Sequence, residues 1–299
     1  MKIIPYQEKL DSTAIAVAIG KFETLHPGHT KLIEAVVEAG QALSITPAVL
    51  SIEHPGEPGV LSFDEREGLL SESGIRLHLT CAFDEHFMNL SAEAFVRDVL
   101  LSNLSVKHVV VGHDFRFGHQ RTGDVALLEK LSDELGFGLT VIPEQTYDGK
   151  KLSSSGIREA LSNGDVTLVE DMMGRPYCLS GTVVTGKRLG RTLGFPTANL
   201  NTDGNKILPA SGVYITKVAV DENTYYGLTN VGSNPTVHTG NDIFVETNLM
   251  DFSGDLYGKN ITLSFVERVR GERKFASTYE LKNQMESDRM YLVTKITHQ

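Results

Sequence analysis

The residues from 186 to 200 hold the densest group of chemistry-bearing side chains in the sequence, reading G-K-R-L-G-R-T-L-G-F-P-T-A-N-L. Glycines recur at every fourth position with cations between them, in the order Gly186, Lys187, Arg188, Gly190, Arg191 and Gly194. Glycine lets the backbone wrap its amides around an anion, and the cations add attraction for phosphate. The segment therefore predicts a phosphate-binding loop, although a glycine pattern alone also fits an ordinary β-turn region.

Two side chains with oxygen atoms that could bind a metal follow closely after these glycines. The stretch Phe195-Pro196-Thr197-Ala198-Asn199 contains a proline that fixes the chain, a threonine hydroxyl and an asparagine amide oxygen. Hard oxygen atoms of this kind are ligands that suit Mg²⁺. A phosphate loop joined to two magnesium ligands, Thr197 and Asn199, points to a transferase that uses a nucleotide.

A second candidate site lies near the amino end, where residues 20 to 29 read G-K-F-E-T-L-H-P-G-H. His26 and His29 stand where an apolar strand pattern gives way to a helical one. Helix N-termini attract phosphate through their unpaired N–H groups and their partial positive charge. Imidazoles at such a place can donate hydrogen bonds to the phosphates of a nucleotide. The alternative is a pair of solvated loop histidines.

The elements that must position these residues follow two patterns along the chain. In the first half, short apolar runs alternate with helical patterns, which indicates a parallel sheet covered on both faces. The predicted strands are 13–20, 47–52, 75–80, 106–112 and 139–143. The predicted helices are 27–43, 92–101 and 124–135, the first with Leu32, Ile33, Val36 and Val37 on one side.

Beyond about residue 180, short strands separated by turn residues predict a small antiparallel barrel or sandwich, closed by one long helix. The predicted strands are 179–185, 212–220, 224–231, 243–249 and 260–266, and the helix covers about 277–294. Because the pattern changes near Gly174 to Leu179, we expect two domains, 1–178 and 179–299.

The composition restricts the class of protein. With 28 Lys and Arg against 38 Asp and Glu, the net charge of −10 argues against general nucleic-acid binding. The two cysteines, Cys81 and Cys178, have no metal-ligand spacing and fit a reducing cytosol. The longest apolar run, 14–19, is too short to span a bilayer, and the first residues lack a signal-peptide pattern. We expect a cytoplasmic protein with no membrane partner.

Three motifs of the first half resemble the nucleotidylyltransferase superfamily, most closely the FMN adenylyltransferase half of bacterial bifunctional riboflavin kinase/FAD synthetases. They are the histidine motif at 20–29, V-V-G-H-D-F-R-F-G at 110–118, and L-S-S-S-G-I-R at 152–158. The resemblance implies a Rossmann-like α/β nucleotidylyltransferase domain. It implies that ATP and its phosphates are bound by Gly20, Phe22, Gly28, Asp114 and Ser154, and that His26, His29 and Arg158 stabilise the transferring group. As an alternative, Ser153–Ser155 simply caps a helix over 157–161.

This chain departs from that family at three positions of the first motif. Lys21, Glu23 and Thr24 stand where relatives usually carry Asn, Asp and Gly. Threonine lacks the easy access of glycine to positive φ at a tight turn, and Lys21 adds a cation beside bound phosphates. These departures motivate one alternative, a riboflavin kinase whose adenylyltransferase domain is impaired.

The second half resembles riboflavin kinases through the glycine-rich segment with its G-F-P-T-A-N end and through the later motifs N-V-G-S-N-P-T, V-E-T-N-L and R-G-E-R-K-F. The resemblance implies a small antiparallel β-barrel domain with a C-terminal helix. It implies that Glu246 is the general base for the 5′-hydroxyl of riboflavin, and that Thr197 and Asn199 bind Mg²⁺ on ATP. Flavin contacts would come from Asn230, Arg270, Glu272 and Phe275. A lone carboxylate such as Glu246 is otherwise a solvated strand residue.

Taken over nearly the full length, the resemblance implies an enzyme that makes FMN from riboflavin and ATP, and then FAD from FMN and ATP. Its small-molecule partners would be riboflavin, FMN and ATP, with Mg²⁺ accompanying the nucleotide. An alternative of another class is a flavin-responsive regulatory binding protein that has lost turnover. The sequence leaves the oligomeric state open.

Overall fold

The structure is a computed structural model that describes residues 1–10, 13–53, 56–186, 194–202, 204–233 and 243–297. The chain divides into two compact units, Met1–Ser154 and Ser155–Gln299. The domain boundary after residue 178 stays a prediction.

The first unit is built on a six-stranded sheet in the order β1-β4-β3-β2-β5-β6. Every pair of neighbouring strands in it is parallel. The strands are β1 (Lys2–Pro5), β2 (Ile15–Gly20), β3 (Thr46–Glu53), β4 (Leu77–Ala82), β5 (Val106–Gly112) and β6 (Gly138–Ile142).

Helices cover both faces of this sheet, as the alternating pattern predicts. They are α1 (Pro27–Leu43), α2 (Phe63–Glu72), α3 (Glu85–Met88), α4 (Ala92–Ala94) running into a π-helix (Phe95–Asn103), and α5 (Val125–Leu135). Successive residues of β2 alternate between the two cores, because side chains of a strand point to opposite faces. Ile15, Val17 and Ile19 join one core, whereas Ala16 and Ala18 join the other, which α1 covers.

The topology of the sheet determines where a ligand can bind. β2 lies between β3 and β5, so the order of the strands reverses on either side of it. In open α/β sheets, ligands bind beyond the carboxyl ends of the strands at such a reversal. Those ends are Gly20 and Gly112, the residues at which two of the nucleotidylyltransferase-like motifs begin or continue. A short hairpin, β7 (Thr146–Tyr147) with β8 (Lys150–Lys151), follows β6.

The second unit contains a closed antiparallel barrel in the order β10-β13-β12-β11-β14-β9. Its strands are β9 (Cys178–Val184), β10 (Ala198–Asn201), β11 (Gly212–Val220), β12 (Asn223–Ser233), β13 (Ile243–Leu249) and β14 (Asn260–Gly271). Two helices precede the barrel, α6 (Ser154–Asn163) and α7 (Val166–Met173), and α8 (Thr278–Thr297) follows it. Leu292 of α8 packs on Ile215 and Met250. This confirms the expected fold class of both halves.

Within the described residues, no helix is both long and apolar enough to cross a membrane.

Candidate active sites

The first candidate site lies on the outer surface of the barrel, where three neighbouring strands bring polar residues into one row. Asn199 of β10 pairs with Glu246 of β13, and Glu246 pairs on its other side with Asn230 of β12. Ala198 and Val245 are buried. Because successive side chains of a strand point to opposite faces, Asn199 and Glu246 point away from that buried side. Thr197 shares this orientation with Asn199, and its hydroxyl donates to Oε2 of Glu246 at 3.3 Å.

One further hydrogen bond holds the segment that carries Thr197 and Asn199, and two glycines accommodate it. The side-chain amide of Asn248 donates to the Pro196 carbonyl at 2.6 Å. A Cβ added at Gly186 would lie under 3.0 Å from the Asn199 amide, so a side chain there would displace that amide. Gly194 has φ of 87°, a left-handed conformation that glycine adopts without strain. The other predicted members of the phosphate loop, Lys187, Arg188, Gly190 and Arg191, lie outside the described residues.

A cavity of about 250 Å³ opens beside Glu246, and we name it the flavin-side cavity. Its walls combine apolar side chains with the polar row, and its lining includes Phe195, Thr197, Val213, Leu228, Asn230, Glu246, Arg270, Glu272 and Phe275. The four residues predicted to contact flavin are therefore all brought together with the predicted base. An apolar slot with a few polar groups at one side suits a flat heteroaromatic ring.

A second cavity, of about 550 Å³, lies on the other side of Thr197, and we name it the nucleotide-side cavity. It is lined by Gly186, Thr197 and Asn199, and by residues of the connection from β13 to β14, among them Phe252, Asp255 and Tyr257. Thr197 lines both cavities and so marks the place where their contents meet. The residues of that connection were not predicted as site residues, and the only sequence signal was the motif L-Y-G at 256–258.

The motif predicts that Arg270 contacts flavin, but its guanidinium group is engaged in an ion pair within the protein. Its guanidinium donates to both carboxylate oxygens of Asp288 on α8, at 2.8 to 3.1 Å, and to the Gly271 carbonyl at 3.2 Å. Asp288 also accepts from Gln284 at 2.8 Å. The guanidinium carbon lies 5.8 Å from the centroid of the Phe275 ring. These contacts make Arg270 part of the cavity wall, held by a nearly buried ion pair.

In the first unit, His26 is the N-cap of α1. Its Nδ1 accepts hydrogen bonds from the backbone N–H of Gly28 at 3.1 Å and of His29 at 3.3 Å. Because Nδ1 is an acceptor, the neutral ring carries its proton on Nε2, which is then a donor. A Cβ at Gly28 would come to 2.9 Å from the His26 ring, so glycine is required for this cap. The local structure thus presents an N–H donor at a helix N-terminus.

His26 lies beside His29, with ring centroids 4.0 Å apart and nearly parallel planes. The buried Phe22 ring packs on His29 at 5.2 Å. Phe22 and Leu25 hold the left-handed positions of this turn, with φ of 50° and 45°. The strained conformation therefore falls beside Thr24, not on it, and the expected penalty of threonine for glycine at that position is wrong.

The histidines face a cavity of about 260 Å³, which we name the phosphate cavity. Its lining includes predicted residues from all three motifs, namely Gly20, His26, Gly28, His29, Asp114 and Ser154, with Lys21 and Lys151. Phe22, which the resemblance places at ATP, is fully buried in the core instead and does not line this cavity, and neither does Arg158. Lys151 of the β7–β8 hairpin forms an ion pair with Asp114. This hydrogen bond lowers the pKa of Asp114 below its usual range and keeps its carboxylate ionised.

A larger cavity of about 730 Å³ adjoins it and is lined by aromatic side chains, Phe83, Phe87, Phe95, Phe115 and Phe117. We name it the aromatic cavity. Gly20, Lys21, Asp114 and Phe115 line both cavities, so the two meet at the carboxyl ends of β2 and β5. Lys21 is exposed at that junction. The motif at 110–118 supplies Phe115 and Phe117. The other phenylalanines come from separate segments of the chain, so the motifs alone did not reveal the aromatic cavity.

Arg158 lies on α6, four residues after Ser154, and is half-buried. Residues four apart share one face of a helix, so Arg158 follows Ser154 along the same side of α6.

Comparisons with known proteins find a matching family for each half of the chain. The sequence model of the family described as FAD synthetase matches residues 8–156, and that of riboflavin kinase matches residues 173–295. A bifunctional riboflavin kinase/FMN adenylyltransferase of Escherichia coli (strain K12) is 36% identical over 285 residues, with 92% of this chain and 90% of that protein covered. Its namesake from Bacillus subtilis (strain 168) is 34% identical over 296 residues, covering 94% and 92%.

Among solved structures, a protein of Streptococcus pneumoniae named as a macrolide-efflux protein superposes with a TM-score of 0.85 and 28% identity. It covers 96% of this chain and 97% of its own.

Proposed function

Since this chain belongs to the family of bifunctional riboflavin kinase/FMN adenylyltransferases, we propose that Glu246 and its row form the kinase site and that the phosphate cavity forms the adenylyltransferase site. The enzyme transfers the γ-phosphoryl group of ATP to riboflavin, giving FMN. It then transfers the adenylyl group of ATP to FMN, giving FAD and pyrophosphate. We propose 1–178 and 179–299 as the domains for the two reactions.

In the kinase reaction, riboflavin enters the flavin-side cavity and ATP the nucleotide-side cavity. The 5′-hydroxyl oxygen of riboflavin attacks the γ-phosphorus, the bond to the ADP oxygen breaks, and Glu246 takes the hydroxyl proton. The observation that carries this assignment is the position of Thr197, which lines both cavities and bonds to Glu246 at 3.3 Å. The base therefore stands where the two substrates would meet.

The donor set beside Glu246 fits a magnesium ion. Thr197 offers a hydroxyl oxygen and Asn199 an amide oxygen, and both line the nucleotide-side cavity. Mg²⁺ keeps part of its shell for water and substrate phosphates, so a few protein oxygens suffice to hold it. When bound, the ion would neutralise charge on the ATP phosphates. Gly186 leaves the space that the Asn199 amide occupies.

In the adenylyl transfer, the flavin ring of FMN would occupy the aromatic cavity, with its phosphate at the junction that Lys21 lines. A phosphate oxygen of FMN attacks the α-phosphorus of ATP, and the bond to the β-phosphate oxygen breaks as pyrophosphate leaves. The Nε2–H of His26, His29, the Ser154 hydroxyl and Arg158 would stabilise the charge that develops. No covalent intermediate with the protein is needed.

The test of this function is incubation of the purified protein with riboflavin, ATP and Mg²⁺, followed by separation of the flavins by chromatography. We expect FMN to form first and FAD to follow. Formation of FMN without FAD would show kinase activity only and would support the alternative of an impaired adenylyltransferase domain. Tight binding of flavin without any conversion would refute both enzyme sites and favour the regulatory binding protein.

A further inference from the structure

The turn between β2 and α1 holds a buried hydroxyl that the two reactions described above do not use. Thr24 is fully buried in this turn. Its neighbours Phe22 and Leu25 are also buried, and both are held in the left-handed region of the backbone. Non-glycine residues adopt that region only when the surrounding structure enforces it. The turn is therefore fixed in one conformation, and Thr24 has a defined direction.

Thr24 contacts the start of a distant element. Its Oγ1 lies 3.0 Å from Oγ of Ser154, a residue 130 positions later in the chain. Ser154 is the first residue of α6 and lines the phosphate cavity together with His26 and His29. The contact thus connects the turn that carries the two histidines with a serine that lines the same cavity.

The direction of this hydrogen bond decides what Ser154 can do. A hydroxyl has one hydrogen to donate and two lone pairs that accept. A fully ionised phosphate oxygen only accepts, so a serine that binds it must give its one hydrogen to the phosphate. The remaining contacts of that serine must then be bonds that it accepts. A chain in which each hydroxyl donates to the next also strengthens its members by mutual polarisation.

We propose that Thr24 is a positioning residue of the adenylyltransferase site, which donates to Ser154 and so directs the Ser154 hydrogen to a phosphate oxygen of ATP. This inference rests on the proposed role of Ser154 in the phosphate cavity. Thr24 itself does not touch the nucleotide. The hydroxyl at position 24 orients the group that does, and the adenylyl transfer depends on it while the kinase reaction does not.

The test compares variants that separate the hydroxyl from the shape of the side chain. Thr24→Val keeps the branched shape and removes the hydroxyl, whereas Thr24→Ser keeps the hydroxyl and removes a methyl group. We expect Thr24→Val to lower kcat/KM for ATP in FAD formation by about fivefold, the effect of one neutral hydrogen bond, mainly through KM. Thr24→Ser should stay near the parent value, and riboflavin phosphorylation should be unchanged in both. If Thr24→Val does not fold, Thr24→Cys, with its weak S–H donor, takes its place.

A second pair of measurements shows whether Thr24 acts through Ser154. Ser154→Ala alone should raise the KM for ATP, and adding Thr24→Val to it should cause no further loss. A further fivefold loss in the double variant, or an equal loss with Thr24→Ser, would overturn the proposal, because either result means a packing effect. Parent-like kinetics of Thr24→Val would also overturn it. Parent-like kinetics of Ser154→Ala would instead refute the proposed phosphate contact on which the inference rests.

Discussion

At the scale of single residues, the proposed kinase site depends on how one carboxylate is held. The Thr197 hydroxyl engages Oε2 of Glu246, and strand pairing places Asn199 and Asn230 on either side of it. A base must accept the proton from a hydroxyl in a fixed place, so a carboxylate with polar neighbours on the two flanking strands begins from a suitable position. We propose two uses for Thr197, as a hydrogen-bond donor to the base and as an oxygen ligand of Mg²⁺.

We predict that Thr197→Val lowers the rate of FMN formation by about tenfold or more, within the range that misplacement of a catalytic group costs. The variant removes both the hydrogen bond to Glu246 and one magnesium ligand. Half-saturation should also require more Mg²⁺. Thr197→Ser, which keeps the hydroxyl, is the matched control and should stay close to the parent. A Thr197→Val protein with parent kinetics and parent magnesium dependence would remove this residue from the site.

The choice of substitution at His26 can separate its role as a helix cap from its proposed role at the phosphates. Its Nδ1 caps α1, and its Nε2–H is the group we assign to the phosphates. Asparagine is a favoured N-cap residue, so His26→Asn can keep the cap while removing the donor. We expect the rate of FAD formation by this variant to fall by about 100-fold, as the removal of one transition-state donor predicts. The midpoint of its thermal unfolding should change little.

His26→Ala is the comparison for that experiment, because alanine removes the cap as well. It should lower the free energy of unfolding by about 0.5–2 kcal/mol in addition to the loss of FAD formation. Undiminished FAD formation by His26→Asn would show that the imidazole serves only as a cap.

At the scale of elements, the attachment of α8 to the barrel uses one ion pair. Arg270 of β14 and Asp288 of α8 keep only 13% and 5% of their side chains exposed. Breaking such a pair by removal of one partner leaves a buried charge, which costs about 3–5 kcal/mol. Because both residues also line the flavin-side cavity, the attachment of α8 and the shape of the cavity depend on the same contact.

We predict that Asp288→Asn markedly lowers the thermal stability of the barrel unit and weakens riboflavin binding, measured by calorimetry and by flavin fluorescence. Glu286→Gln on the same helix is the control, because its ion pair with Lys282 is exposed, at 4.0 Å. An exposed pair of that kind contributes less than about 1 kcal/mol. Equal effects of the two substitutions would contradict the structural role given to the buried pair.

The sequence predicts elements well where the apolar pattern is regular. Helix 27–43 and strands 106–112, 212–220 and 243–249 have the observed bounds. β10 was not predicted as a strand, because it has only four residues and its pairing with β9 and β13 depends on distant parts of the chain. The helix predicted over 92–101 is mostly π-helical, a hydrogen-bond pattern that apolar spacing does not encode.

The site residues that the sequence predicts, and the contacts that it misses, have the same explanation. Motif residues such as Thr197 and Glu246 stand out because their types and order are distinctive in the sequence. The partnership of Thr24 with Ser154 depends on the closing of the first unit, and that of Arg270 with Asp288 on the docking of α8. Contacts over such sequence distances follow from tertiary packing and leave no local pattern.

Across the full chain, the two proposed ATP sites are centred in different structural units. Glu246 belongs to the barrel unit, and the phosphate cavity belongs to the sheet unit. With a net charge of −10, the protein as a whole does not attract ATP, so each site must draw phosphate with its own donors. We therefore propose that each reaction has its own set of side chains.

The most direct test of that claim is Glu246→Gln, which keeps the size and hydrogen-bonding capacity of the side chain and removes the base. The folded variant is supplied first with riboflavin, ATP and Mg²⁺, and then with FMN, ATP and Mg²⁺, and the flavins are separated after each reaction. We predict that FMN formation falls by about 10²–10⁴-fold, the usual contribution of a positioned base, while FAD forms from supplied FMN at the parent rate. Loss of both activities in a folded protein, or FMN formation at the parent rate, would contradict the account of two separate sites.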